Sequence, residues 1–161
     1  MPERLWAPWR LEYVGSAEEK SGCFLCTAVA SAADEDSLVV HRGLHAIVVL
    51  NRFPYTSGHL LVAPLDHEGD FAALDDATAL EIHRLAGEGI AALAETYGPQ
   101  GYNLGWNLGR VAGAGLPEHV HMHVVPRWAG DTNYMPVLAD VRVLPEALVE
   151  TRRRLAAAWP R

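Results

Sequence analysis

His119-Val120-His121-Met122-His123-Val124-Val125-Pro126 alternates imidazoles with apolar side chains. Alternation with a period of two belongs to a β-strand, whose successive side chains point to opposite faces. The segment therefore reads as a strand from His119 to Val125, stopped by Pro126, with His119, His121 and His123 on one face and Val120, Met122 and Val124 packed on the core. Three imidazoles in a row are costly to bury without partners. A metal, a phosphate or both would use them.

Just upstream, Asn107-Leu108-Gly109-Arg110-Val111-Ala112-Gly113-Ala114-Gly115-Leu116 is rich in glycine. Glycines let backbone N–H groups approach an anion and form a nest around it. A nest that feeds directly into three histidines favours a phosphate site.

Further out, Leu38–His41 and Leu44–Leu50 read as strands joined by a tight turn at Arg42-Gly43, and His59–Ala63 as a third strand stopped by Pro64. Asp75 or Asp76 caps a long helix towards Tyr97, with Ala79, Ile82 or His83, Ala86, Ile90, Leu93 and Tyr97 at helical spacing and Gly98-Pro99 at its end. Gly87 and Gly89 weaken that helix by roughly 1 kcal/mol each relative to Ala, so close packing is expected at both. Gly101–Asn107 gives a fourth strand, the histidine segment a fifth, and Pro145–Trp159 a last amphipathic segment. Three strands, a helix, two strands and a helix make an α+β fold with a five-stranded, mainly antiparallel sheet.

The 161 residues suit one domain over 1–161, with a core at about 23–128, an N-terminal arm at 1–20 carrying Trp6 and Trp9, and a C-terminal extension at 129–161. Half the residues are apolar and the formal charge is −7, which argues against a general nucleic-acid binder. No apolar run reaches the length of a membrane span, and Met1–Arg10 has no signal-peptide h-region, so a cytoplasmic protein is expected. Cys23-Phe24-Leu25-Cys26 puts two thiols at a spacing that suits a metal. Two buried reduced thiols are the alternative.

The histidine segment, together with Asn107-x-Gly109, Ala112-Gly113, and Asn51 followed by Gly58-His59-Leu60-Leu61-Val62, resembles the histidine triad (HIT) family over roughly Cys23 to Trp128. Leu5–Arg10 and Pro126–Pro136 resemble the branch containing bacterial diadenosine tetraphosphate phosphorylases. The resemblance implies an enzyme acting on dinucleoside polyphosphates through a nucleotidyl-histidine intermediate. His121 would attack the α-phosphate and His123 would attend the phosphate or leaving group. Asn107 with Gly113, Ala114 and Gly115 would hold the equatorial oxygens, and Asn51 the ribose. His59 would stand beside the site. Arg127 and Trp128 would reach the second nucleotide or a dimer interface. The resemblance also implies a structural zinc on Cys23, Cys26, His67 and His119, and a homodimer whose sheets join.

Many family hydrolases carry Gln after the Ala-Gly pair. Ala114-Gly115 stands there instead, which leaves the acceptor open between water and inorganic phosphate as co-substrate. The rival readings are a nucleoside phosphoramidase or adenylyl hydrolase, a slow-turnover nucleotide-binding regulator, and a zinc-centred structural protein without chemistry.

Overall fold

A computed structural model describes residues 22–131 and 146–161. The N-terminal arm, the start of the last segment at Pro145 and the motif beyond Asp131 lie outside the described residues. The order is α1 (Phe24–Ala30), β1 (Val39–Arg42), β2 (Ala46–Leu50), β3 (Leu60–Pro64), α2 (Asp76–Tyr97), β4 (Gly101–Trp106), β5 (Met122–Arg127) and α3 (Leu148–Ala157). The strands form the expected five-stranded antiparallel sheet, in the order β1-β2-β3-β5-β4. No helix of the described residues is long and apolar enough to cross a membrane.

Helix α2 starts where the Asp75 carboxylate accepts the Thr78 N–H at 2.8 Å, and ends at Gly98 in the left-handed conformation at φ 56°. Its buried side is Ile82, Leu85, Ala86, Ala92 and Leu93, packed on the sheet with Ile47, Leu60 and Val124. Ala79 and His83 face outward, so the inward stripe is rotated from the expected one. The two helix glycines differ. A Cβ on Gly89 would stand 3.0 Å from Leu60 Cδ1, so packing is tight at that glycine, whereas one on Gly87 would meet nothing within 4 Å.

The β1–β2 connection is three residues, Gly43–His45, not the tight turn expected at Arg42-Gly43. Its shape comes from a group absent from the hairpin itself. The buried Glu81 carboxylate of α2 accepts the N–H groups of Leu44, His45 and Ala46. Burial alone would raise its pKa. The bonds from His45 and Leu44 outweigh that and hold the carboxyl below the usual range.

Helix α1 has no apolar periodicity to announce it in seven residues. Cys23 is its N-cap, and the Arg42 guanidinium donates to Ala28 O, Val29 O and Ser31 O at its other end. A cation on the last carbonyls is favourable there. In α3, Arg152 Nε donates to Val39 O on edge strand β1, and Arg154 pairs with Glu146.

Strand β5 corrects the expected one at both ends. It begins at Met122, leaving His119 and His121 in irregular chain, and it runs through Pro126 to Arg127. The β3 register, Leu60 opposite Val124 to Val62 opposite Met122, would next bring Pro64 opposite Val120. Proline has no N–H to continue a ladder, and the Val120 N–H turns instead to Glu68 O at 2.7 Å. Past Val124, β5 has only β4 beside it, so Pro126 sits opposite Tyr102 without breaking a ladder to β3.

Candidate functional site

The early exit from β5 splits the three histidines between two sites. His119 is fully buried. Its Nε2–H donates to Pro64 O at 2.9 Å, which leaves the Nδ1 lone pair facing Cys23 Sγ at 3.2 Å and Cys26 Sγ at 3.6 Å. His67 Nδ1 lies 3.2 Å from Cys26 Sγ. The four donor atoms of Cys23, Cys26, His67 and His119 lie within 4.8 Å of one another and could hold one metal ion. Two sulfurs and two nitrogens around a tetrahedral ion are expected about 3.5 Å apart, given bonds near 2.3 and 2.0 Å. A ligating imidazole whose other N–H meets a backbone carbonyl is the usual support for such a site.

His121 and His123 remain together, with ring centres 5.0 Å apart. His121 is 8% exposed, and its Nδ1–H donates to the His119 carbonyl at 2.8 Å. That bond fixes the tautomer and leaves the Nε2 lone pair for chemistry. Burial pushes its pKa down, against the pull of the same hydrogen bond, so the ring is kept neutral.

The His123 proton is placed by a chain of bonds from the loop before β3. The Asn51 Oδ1 accepts the Phe53 N–H at 2.9 Å, which turns the Asn51 amide nitrogen toward His59 Nδ1 at 3.3 Å. The Tyr55 N–H donates to the same Nδ1 at 3.1 Å. His59, itself fully buried, therefore carries its proton on Nε2 and donates it to His123 Nδ1 at 2.9 Å. His123 in turn carries its proton on Nε2. Burial first, and the neighbouring His121 second, push its pKa down to about 4.

The Asn107 amide lies 3.4 Å from His123 Nε2. A proton on that nitrogen requires the amide oxygen there, reached by a half-turn of the side chain. The result is two neutral imidazoles side by side, one presenting a lone pair and the other an N–H.

The remaining sequence-predicted residues are less directly placed. Asn51 is buried with its amide committed to the loop and to His59. In the glycine-rich loop, the Gly113 N–H donates to Arg110 O and the Ala114 N–H to Gly109 O, so two of the three amides assigned to phosphate serve the loop itself. Tyr55 was not among the expected site residues, and its ring lies 5.9 Å from that of His123 and nearly parallel to it. An aromatic four residues before a strand-entry histidine is a signal that could have been weighed.

Fold and site together define a histidine triad protein, and the comparisons agree. The HIT domain model matches residues 32–130, and the chain belongs to that family. It is 38% identical to an "AP-4-A phosphorylase" of Mycobacterium tuberculosis over 99% of this chain and 85% of that one. An "Adenosine 5'-monophosphoramidase" of Schizosaccharomyces pombe is 30% identical over 51% of this chain and 58% of its own. Among solved structures, a zinc-bound histidine triad family protein from Mycobacterium smegmatis superposes with a TM-score of 0.68 and 26% identity, covering 85% of this chain and 92% of that one.

Proposed function

We propose that this chain is a nucleotidyl-transferring enzyme acting on dinucleoside polyphosphates, with diadenosine tetraphosphate the leading substrate and inorganic phosphate the leading acceptor. One observation carries the chemistry: His121 presents a bare Nε2 beside an Nε2–H on His123. The His121 lone pair forms an N–P bond to the α-phosphorus, and the bridging P–O bond breaks. Its electron pair stays on the departing phosphate oxygen, which leaves as an anion hydrogen-bonded to the His123 N–H, with no proton transferred. An oxyanion of inorganic phosphate then forms a new P–O bond to the nucleotidyl-histidine, and as the N–P bond breaks its electron pair returns to His121. Splitting one displacement into two is the gain of covalent catalysis. Asn107 and the N–H of Gly115 would steady the equatorial oxygens, and Gly113 and Ala114 would join them only on releasing Arg110 O and Gly109 O. Asn51 would serve the ribose, by releasing its loop contacts or from its backbone.

The likeness to the Mycobacterium phosphorylase over nearly the whole chain supports phosphate as acceptor. Zinc is the metal the Cys2His2 donor set suits, and the zinc-bound neighbour supports it. Held there by Cys23, Cys26, His67 and His119, it would cross-link α1 to the His119 segment and would take no part in the displacement. A homodimer joined through the sheets completes the proposal.

The S. pombe relative favours a second reading, release of amines from nucleoside phosphoramidates. A product assay decides. With diadenosine tetraphosphate, phosphate-dependent ADP plus ATP is expected. AMP plus ATP without phosphate would instead mean hydrolysis. Turnover of phosphoramidate alone would establish the second reading, and tight binding with negligible turnover a regulator.

A further inference from the structure

On the face of the sheet away from α2, a cavity of about 400 Å³ runs from His123 and Asn107 along β4 and β5 to Arg127. Its floor follows from register. His123, Val125 and Arg127 alternate onto one face of β5, and Gly105, Asn103 and Gly101 stand opposite them on β4. Gly105 is directly opposite His123, and a Cβ built on it would meet nothing within 4 Å. The floor is therefore open because residue 105 has no side chain. From His123 to Arg127 is four residues of strand, about 13 Å. The volume falls in the range of small-molecule sites, roughly 300–1,000 Å³.

The far end is built rigidly and nearly neutral. Arg127 Nε and Nη2 donate to the two oxygens of Asp131 at 2.5 and 3.0 Å, and Nη1 donates to Asn103 Oδ1 at 2.8 Å. A guanidinium neutralised by its own carboxylate suits a planar ring stacked on it better than a phosphate. The anionic part of a ligand belongs at the other end, by the His123 N–H and Asn107. Neither His121 nor Asn51 is among the walls. In an in-line displacement the nucleophile and the departing oxygen lie on opposite sides of phosphorus. A cavity that includes the His123 N–H, but not His121, lies on the departing side.

We propose that this cavity seats the departing half of a dinucleoside polyphosphate, phosphates at His123 and Asn107 and nucleoside towards Arg127, with Gly105 keeping the floor open. This rests on the proposed nucleotidyl transfer and names what leaves. An ammonia or small-amine leaving group has no use for such a length.

Gly105→Val tests it. Gly105 does not have a positive φ, and valine is at home in a strand, so the change fills the cavity without backbone strain. Measured with diadenosine tetraphosphate, kcat/KM is expected to fall about tenfold or more; with adenosine 5'-phosphoramidate, whose leaving group is ammonia, it is expected to stay within about twofold. Loss of both activities together, or of neither, overturns the subsite while leaving nucleotidyl transfer standing. A wild-type protein that processes the phosphoramidate and not the tetraphosphate overturns the substrate reading itself, and this one with it.

Discussion

The carbonyl oxygen of His119 accepts the Nδ1–H of His121 at 2.8 Å, while the His119 imidazole faces Cys23 Sγ at 3.2 Å. One residue thus touches both His121 and the cluster that could hold a metal ion. The backbone sets the tautomer of His121, and the side chain ties that backbone to α1.

Metal removal should therefore act first on stability. A ligand that binds only the folded state contributes about 2.7 kcal/mol at 100 times its Kd. For a chain of this size that corresponds to roughly 5–10 °C in Tm. The expected result is one zinc per chain by elemental analysis, with a Tm lowered by that amount on chelation and in Cys23→Ser. Protein purified without metal, with Cys23→Ser melting like the parent, would remove the site.

His123 should titrate near 4 rather than 6.5. A folded-state pKa below the unfolded one means that the unfolded chain binds the proton more readily between those values. Stability from this group is then complete above about pH 6.5 and is lost as pH falls towards 4, by about 3 kcal/mol for the full shift. Ring-carbon NMR shifts against pH give the midpoint directly. His59→Phe, which removes the N–H held by His123 Nδ1, should leave the His123 tautomer unfixed. A midpoint near 6.5 in the parent protein would contradict the buried neutral pair.

The Glu81 carboxylate replaces a turn sequence. Glu81→Ala leaves the N–H groups of Leu44, His45 and Ala46 without their acceptor, and an unsatisfied buried donor costs about 1–3 kcal/mol. Water can reach the exposed Leu44, so a total loss of about 2–4 kcal/mol in urea unfolding is expected. A loss below about 0.5 kcal/mol would show the hairpin to be self-sufficient.

Much of this was legible in the residues. Alternation gave the histidine strand, apolar runs bounded by turn and proline signals gave β2 and β3, which are buried throughout, and helical spacing gave α2. The ligand set at Cys23, Cys26, His67 and His119 came with the family resemblance and is brought together here. What escaped was non-local. Nothing within Gly43–His45 shows that Glu81 will cap it, and nothing in Cys23–Cys26 announces a helix ended by Arg42. The histidine segment misled for a related reason: its alternation is that of a strand, but its would-be ladder partner is Pro64. His119 could then turn to the cysteines while His121 and His123 stayed paired.

The central claim is that His121 Nε2 becomes bonded to phosphorus. Mass spectrometry of protein rapidly quenched at neutral to basic pH during turnover of diadenosine tetraphosphate tests it most directly. The account predicts a nucleotidyl adduct on the peptide containing His121, absent from His121→Ala, which should also lose at least about 1,000-fold in kcat. Full turnover by His121→Ala, or an adduct on any other residue, would contradict it.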